Sequence, residues 1–376
     1  MTTTSGIPGA DVTGPACIVN LGIERNTDRY RTLAEIPVGM GPEGVIVDAQ
    51  RRRGYVCASR SNAVTVFDLD NHAVLGEIPV GTEPIPPIFD IPTGRLFVAN
   101  ARSDSLSVID THRGEIGEVV TEVKVGEYPA GMGYDPQRRL VLSGDTAAST
   151  VSVVHCDTLE RIAVVPAELG VGSIGVDVAR GIAWCVNFFS RSVTLVDLTT
   201  FEPIKKIDVM DGPCKVAIDP VHDFAYVANS LDSNIAKISL STHEVVATLP
   251  VERAPVGLNV SPDCSRVYVC NRGAGSVSVL GVADDREWGR MPVGNGPGDC
   301  VVDPVTGHLL VSNAGSCSVI VLEDLMDGPA EIAAAAHPLV GTRLPGFSLP
   351  DMRTRSLRHS REWSEKKYIL NFFASW

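Results

Sequence analysis

The sequence predicts an all-β protein, a seven-bladed propeller whose blades are four-stranded sheets. A Val-Gly-x-x-Pro phrase, or a close variant of it, recurs along the chain with a period of about 42 residues. Each repeat also carries short apolar runs separated by glycine and proline. A fixed short period indicates an array in which each unit buries its apolar face against the next unit. The phrases are marked by Pro42, Pro84, Pro129, Gly172 in the fourth place, Pro213, Pro255 and Pro297.

Two further landmarks keep the same phase in nearly every repeat. An acidic residue follows six positions after the proline, and we expect its side chain to cap a turn within the blade. Ten residues later an Asn or Asp ends an apolar run, and a third run then alternates apolar and polar residues, which is typical of a strand. The acidic positions are Asp48, Asp90, Asp135, Asp177, Asp219, Ser261 as the exception, and Asp303.

The apolar runs that end in asparagine carry a family resemblance. Phe97-Val98-Ala99-Asn100, Tyr226-Val227-Ala228-Asn229 and Tyr268-Val269-Cys270-Asn271 resemble the Tyr-Val-Thr-Asn signature of the YVTN propeller repeats. The resemblance covers residues 31–323 and implies a seven-bladed ring. It does not imply one activity, because that superfamily includes lactonases, lyases, surface-layer modules and electron-transfer proteins.

The last repeat lacks a fourth strand, which predicts how the ring closes. The segment Thr32–Val38 has the character of the missing strand, and we expect it to pair with residues Cys317–Leu322 and so remove a sheet edge. The predicted organisation is an N-terminal arm over 1–30, the propeller over 31–326, a linker over 327–340 and a C-terminal segment over 341–376.

The C-terminal segment resembles a second family. Gly341–Asp351 is similar to the opening of the redoxin branch of the thioredoxin superfamily, and Lys367–Trp376 is similar to its first central strand. In that family Ala-Ser-Trp is followed by the redox cysteine of a Cys-x-x-Cys motif, so the resemblance implies a truncated thioredoxin-like α/β tail without thiol chemistry. One hypothesis for the end at Trp376 is that the next codon is UGA, read as selenocysteine in the source organism; a cloning boundary or a frameshift would give the same end. The alternative to the redoxin-like interpretation of the segment is a simple strand pair packed on the propeller flank.

Charge and composition exclude several classes of function. A formal net charge of −13 argues against binding to nucleic acid or to an anionic membrane. The sequence contains no apolar run that could span a membrane and no signal peptide pattern, which predicts a cytoplasmic protein. The nine cysteines form no Cys-x-x-Cys pair and are poor material for a disulfide framework. The eight histidines are scattered without metal-ligand spacing, so we predict no metal and no cofactor.

Candidate binding residues lie in loops predicted to open on one face of the ring, here called the top face. One set consists of the loops before the inner strands, where Glu43 lies in the first repeat. The other set consists of the loops after the second strands, where Phe188 and Phe189 lie in the fourth repeat. Arg60 and Arg102 occupy equivalent places in adjacent repeats and predict a cationic patch for a carboxylate or phosphate. Solvated loop charges and rim ion pairs are the alternative. The predicted ligand-binding residues are Arg60, Arg102, Arg191, Lys215, Arg272 and Asp299.

Two functional hypotheses remain open. The first is a non-catalytic scaffold or recognition module, fused to the redoxin-like segment, that binds a protein partner or a small anionic ligand at the top face. The second is an enzyme of the lactonase or lyase type with its active site at the mouth of the central channel. Cys214, beside Lys215, is either a reactive thiol or, as we expect, a packed one.

Overall fold

A computed structural model describes residues 27–329 together with two short strands nearer the C-terminus. The chain divides into two compact units, Met1–Pro329 and Ala330–Trp376. In the second unit, strands β29 (Ser348–Pro350) and β30 (Leu357–His359) pair antiparallel, with Ser348 opposite His359. The predicted redoxin-like fold of the C-terminal segment depends on residues that the structure does not describe, Lys367–Trp376 among them, and it stays a prediction.

The first four blades each use four consecutive antiparallel strands, numbered outward from the channel. Blade 1 contains β2 (Pro42–Asp48), β3 (Arg53–Ala58), β4 (Ala63–Asp68) and β5 (Val74–Pro79). Blade 2 contains β6 (Pro84–Asp90), β7 (Arg95–Asn100), β8 (Ser105–Asp110) and β9 (Glu118–Lys124). Blade 3 contains β10 (Pro129–Asp135), β11 (Leu140–Asp145), β12 (Thr150–His155) and β13 (Arg161–Pro166). Blade 4 contains β14 (Val171–Asp177), β15 (Ile182–Asn187), β16 (Ser192–Asp197) and β17 (Glu202–Asp208).

The remaining blades repeat this order until the last, which takes its outer strand from the N-terminal side. Blade 5 contains β18 (Pro213–Asp219), β19 (Phe224–Asn229), β20 (Asn234–Ser239) and β21 (Val245–Pro250). Blade 6 contains β22 (Pro255–Val260), β23 (Arg266–Asn271), β24 (Ser276–Gly281) and β25 (Glu287–Pro292). Blade 7 contains β26 (Pro297–Val302), β27 (Leu309–Asn313), β28 (Ser318–Asp324) and β1 (Tyr30–Pro37).

The predicted ring closure is confirmed. Strand β1 pairs antiparallel with β28, with Thr32 opposite Leu322 and Pro37 opposite Ser318. Ile36 of β1 is almost fully buried and packs with Val319 and Val321 in a core shared by blades 7 and 1. The described part of the chain is therefore an all-β, seven-bladed propeller of four-stranded blades whose last sheet is completed from the other end.

The register of the fourth repeat corrects the sequence interpretation. Strand β14 begins at Val171, so Val171 and not Gly172 occupies the place of the proline. The sequence misled because Val171-Gly172 imitates the Val-Gly of the phrase. Backbone conformation fixes the true register, since Gly170 has a φ of 77°. Gly41, Gly212 and Gly296 have the same left-handed conformation, and each directly precedes the proline that begins the inner strand of its blade.

In blades 2, 3 and 7 two repeated landmarks meet across the blade, which explains their fixed spacing there. Asn100, at the end of β7, is buried and donates its Nδ2–H to Ser107 Oγ of β8 at 2.9 Å. A Cβ at Gly81 of the Val-Gly phrase would lie 2.6 Å from Asn100 Cγ, so only glycine leaves room for the amide. Gly126 meets Asp145 and Gly294 meets Asn313 in the same way.

The acidic landmark caps the turn that follows each inner strand, as predicted for most repeats. Asp48 Oδ1, for example, accepts hydrogen bonds from the backbone N–H groups of Gln50 and Arg51 at 3.0 and 3.1 Å. Asp90 differs because Pro92 has no N–H to donate two residues on. Its carboxylate instead binds Arg139 of the next blade.

Candidate functional site

The inner strands of the seven blades surround a central channel, and their third residues occupy equivalent places in the seven blades. At this position six blades contribute residues to a cavity of about 410 Å³ at the top face. Of these seven residues only Lys215 and Asp299 are charged, so the charged groups at this level of the channel mouth lie on one side of it. The seven residues are Gly44, Pro86, Gly131, Ser173, Lys215, Gly257 and Asp299.

Small residues of blades 3 and 4 create the space for the cavity. A Cβ at Gly131 would lie 2.0 Å from Gly172 O, so the inner strands of these two blades approach each other more closely than any larger residue allows. Ser173 follows in the same wall. Gly172 borders the open space of the cavity, because a Cβ there would meet no atom nearer than Gly170 O at 4.0 Å.

The opposite wall carries an ion pair that spans an entire blade. Lys215 Nζ of blade 5 lies 2.8 Å from Asp299 Oδ2 of blade 7. Gly257 of blade 6 lies between them, and a Cβ there would meet Gly298 O at 2.8 Å and Asp299 Cα at 2.9 Å. Glycine at this place therefore lets the inner strand of blade 6 lie close against the backbone that carries Asp299.

A second ion pair is built in the same way one blade further round the ring. Arg272 Nη2 of blade 6 binds Glu43 Oε2 of blade 1. Gly298 of blade 7 lies between them, where a Cβ would be 3.1 Å from Glu43 Oε2 and 3.3 Å from Arg272 Nη2. Ser312 Oγ ties this region to the first pair, because it donates to Glu43 O at 2.5 Å and accepts from the Asp299 N–H at 3.0 Å.

Burial and charge act against each other at these groups. Burial raises the pKa of Glu43 above its ordinary value, although the Arg272 guanidinium beside it acts to lower that pKa. Burial acts to lower the pKa of Lys215, but the Asp299 carboxylate outweighs it, and the net effect is a raised pKa. Lys215 is therefore held as a cation, while Glu43 is a carboxylate that accepts a proton more readily than a solvated one.

One donor in this cluster remains free. Within residues 27–329, Arg272 Nε is buried and has no hydrogen-bond partner. Arg272 itself lines the cavity. A buried N–H without an acceptor is costly, so a ligand oxygen placed here would gain a hydrogen bond to a charged group.

The cavity wall formed by blades 2 to 4 is largely apolar. Ile85 and Met132 contribute side chains to it, and Phe188 stands beside Phe189 with ring centroids 5.2 Å apart and planes at 83°. The cavity is thus amphipathic, with two ion pairs on one side and aliphatic and aromatic groups on the other.

The structure brings together three of the six residues predicted from sequence. Lys215, Arg272 and Asp299 line the cavity. Arg102 instead binds Glu83, and Arg191 binds Asp211 with its Nε 3.0 Å from Oδ1. Arg60, Arg102 and Arg191 lie on the exposed rim.

Position within the repeat only partly explains this division. Arg272 directly follows the landmark Asn271, whereas Arg102 lies one residue beyond the equivalent Ala101. The same step does not decide every case, because Phe189 occupies the place of Arg102 and yet lines the cavity. The two ion pairs carry no comparable signal, because they join residues far apart in the sequence.

The cysteines agree with a structural role for Cys214. Its Sγ lies 3.3 Å from Pro255 O, and burial raises the pKa of its thiol to about 11. The expectation of a packed thiol is confirmed. Cys317 is disulfide-bonded, whereas the other seven cysteines in the described part of the chain are free.

No group of three or more His, Cys, Asp or Glu side chains in the described part of the chain is placed to hold a metal ion. The same residues include no helix with the length and apolar character needed to cross a membrane.

Comparison with known proteins supports the architecture. The family model described as lactonase, 7-bladed beta-propeller matches residues 183–324, a range that includes Lys215, Arg272 and Asp299 but not Glu43. A solved structure of Kuenenia stuttgartiensis hydrazine synthase is similar with a TM-score of 0.69 and 19% sequence identity, over 78% of this chain and 98% of that chain. At that identity the likeness shows the fold alone. No curated protein sequence gives a significant match.

Proposed function

We propose that the channel mouth is the active site of an enzyme that hydrolyses a cyclic ester, or forms one in the reverse direction. The observation that carries the proposal is the convergence of the Glu43–Arg272 and Lys215–Asp299 pairs on one amphipathic cavity. An ester carbonyl needs a donor for the oxyanion and a base for the attacking water, and this wall of the cavity holds both.

The chemistry follows from the position of each group. The Glu43 carboxylate accepts a proton from a water molecule, whose oxygen attacks the carbonyl carbon. The electron pair of the carbonyl moves to its oxygen, which the free Nε–H of Arg272 stabilises. Collapse of the intermediate breaks the ring C–O bond, and the leaving alkoxide takes the proton back from Glu43. One lactone and one water thus give one hydroxy acid.

Lys215 and Asp299 serve this reaction as a positioning pair. Asp299 holds the lysine ammonium at the channel wall, where its charge adds to that of Arg272. The carboxylate formed on ring opening is an anion, and the two cations favour its formation.

The partial match to a lactonase model supports the enzyme over the non-catalytic scaffold that was the first sequence hypothesis. A pure recognition surface also has no need of a buried carboxylate with a raised pKa. Such groups occur preferentially at catalytic sites.

Hydrolysis of a panel of γ- and δ-lactones, followed by proton release in weak buffer, tests the proposal. Glu43→Gln removes the base and keeps the shape of the side chain, so we expect its rate to fall by about 10²- to 10⁴-fold. Glu168→Gln is the matched control, because Glu168 pairs with Lys206 on the rim, and its rate should equal that of the wild type. An inactive wild-type protein, or an active Glu43→Gln variant, contradicts the proposal.

A further inference from the structure

An exposed apolar surface continues from the cavity across the top loops of blades 4 and 5. We call it the apolar shelf, and it consists of Leu169, Phe189, Met210 and Leu231. These side chains are 63%, 70%, 44% and 64% exposed. Apolar side chains this exposed are ordinary when scattered, but grouped beside a cavity they mark a binding surface.

Contacts within the loops hold the shelf together. The Phe189 N–H donates to Leu169 O at 3.2 Å, and the Leu231 N–H donates to Asp211 O at 3.3 Å. Asp211 in turn pairs with Arg191, which links the loops of blade 4 to those of blade 5. The shelf is therefore a fixed part of the rim.

Comparison of the repeats shows that the shelf is specific to these blades. The position of Phe189 and Leu231, two residues after the landmark asparagine, holds Arg60 and Arg102 in blades 1 and 2. It holds Gly273 and Gly315 in blades 6 and 7. Blade 3 has Ala147 at this position, so a large apolar side chain occurs there only in blades 4 and 5.

Phe189 connects the two regions, because it belongs to the shelf and also lines the cavity. Gly170 and Pro213, which line the cavity too, lie beside Phe189 and Leu231. A Cβ at Gly170 would meet Phe189 Cδ2 at 2.5 Å, and one at Gly212 would meet Leu231 Cγ at 2.6 Å. An apolar surface therefore leads outward from the cavity lining at Phe189 and Pro213 to the exposed Leu169 and Leu231.

We propose that the substrate is amphipathic, with a lactone or carboxylate head at Arg272 and a long alkyl or acyl chain that leaves the cavity over the apolar shelf. The inference rests on the proposed function, because it names the substrate class of the same site. Chain atoms that reach the shelf lose contact with water, which favours binding by about fourfold for each methylene buried.

A homologous series of δ-lactones with alkyl substituents of increasing length tests the proposal. With the wild-type protein we expect kcat/KM to rise with chain length once the chain reaches the shelf. In the double variant Leu169→Ser/Leu231→Ser the ratio of long-chain to short-chain kcat/KM should fall at least about tenfold. Val221→Ser is the matched control, since Val221 is equally exposed but lies in the turn after an inner strand, away from the top face, and this variant should keep the wild-type ratio.

Binding of alkyl carboxylates, measured by calorimetry, separates this inference from the proposed reaction. If no lactone is hydrolysed but dodecanoate binds more tightly than butanoate, and the double variant loses that preference, the substrate class stands and the reaction falls. If lactones are hydrolysed at rates independent of chain length, the reaction stands and the inference is overturned. It is also overturned if the double variant changes only the oligomeric state in analytical ultracentrifugation, because the shelf would then bind protein.

Discussion

Lys215 Nζ lies 2.8 Å from Asp299 Oδ2 although the two residues belong to blades separated by a third. Gly257 packs against the backbone that carries Asp299, and Gly298 leaves room for the contact between Arg272 and Glu43. The geometry of the charged half of the mouth therefore depends on residues that carry no functional group.

The variant Gly257→Ala should destabilise the protein and disturb the Lys215–Asp299 pair. Its Cβ would meet backbone atoms that cannot move independently, and overpacking of this kind costs about 1–3 kcal/mol. Gly172→Ala is the control, because the nearest atom to its Cβ is 4.0 Å away. Chemical denaturation measures both, and equal midpoints for the two variants would show that the position of Gly257 tolerates a methyl group.

A double-mutant cycle on Lys215→Met and Asp299→Asn should reveal strong coupling. Breaking a fully buried pair costs about 3–5 kcal/mol, and we expect somewhat less here because both side chains keep some contact with solvent. The same cycle on the rim pair Arg191 and Asp211 should give about 0–1 kcal/mol. Similar coupling energies for the two pairs would argue against a special environment at the mouth.

The activity should depend on pH through Glu43. The base must be ionised, so kcat/KM rises with pH through the pKa of Glu43, which burial places above its ordinary 4.5. Arg272 acts to lower that pKa, so Arg272→Met should move the rising limb to still higher pH as well as slow the reaction. A limb that stays in place in Arg272→Met would assign the titration to another group.

Asp145→Asn should stabilise the protein at neutral pH. Asp145 stands where other blades have asparagine, and burial raises its pKa despite hydrogen bonds from Ser143 and Ser152. The folded protein then binds the proton more tightly than the unfolded chain, so the free energy of unfolding falls as pH rises from 3.8 through the raised pKa.

The stability gained by Asp145→Asn should consequently shrink as pH is lowered toward 3.8. Thermal unfolding of the variant and the wild type across this pH range measures it. Asn271→Asp, the reverse exchange in blade 6, should destabilise at neutral pH. A stabilising effect of that control would contradict the explanation.

Closure of the ring should depend on one side chain of β1. Ile36 is 1% exposed and Leu33, on the same strand, is 40% exposed. We expect Ile36→Ala to cost about 2–5 kcal/mol and Leu33→Ala no more than about 0.5 kcal/mol. Comparable losses in urea unfolding would mean that β1 contributes through its backbone pairing alone.

The fold could be predicted because each landmark has a physical cause within one repeat. The glycine of the phrase makes room for an asparagine across the blade, and the aspartate caps the next turn, so their spacing is fixed by strand length. The error at Gly172 arose where a valine replaced the proline, and Gly170 with its left-handed φ was the more reliable marker.

The candidate site was harder to predict than the fold. Lys215, Arg272 and Asp299 were predicted because they are charged and lie at the top-face end of a first or second strand. Arg60 and Arg102 belong to the same kind of loop as Arg272, but their side chains are exposed on the rim, and the sequence does not distinguish the two cases. The pairing of Glu43 with Arg272 joins residues far apart in sequence, and no local pattern contains it.

Because β1 completes the sheet of blade 7, the first and last residues of the propeller lie side by side. Tyr30 is opposite Asp324 in the sheet of blade 7, and Arg29 Nη2 donates to Gly328 O at 2.6 Å. A short peptide could therefore join residues 27 and 329 and the chain could be opened elsewhere, in the turn between two outer strands of any blade. A circularly permuted chain of this kind would keep all seven blades and every cavity residue, so the chemistry at the mouth does not depend on which blade comes first along the chain.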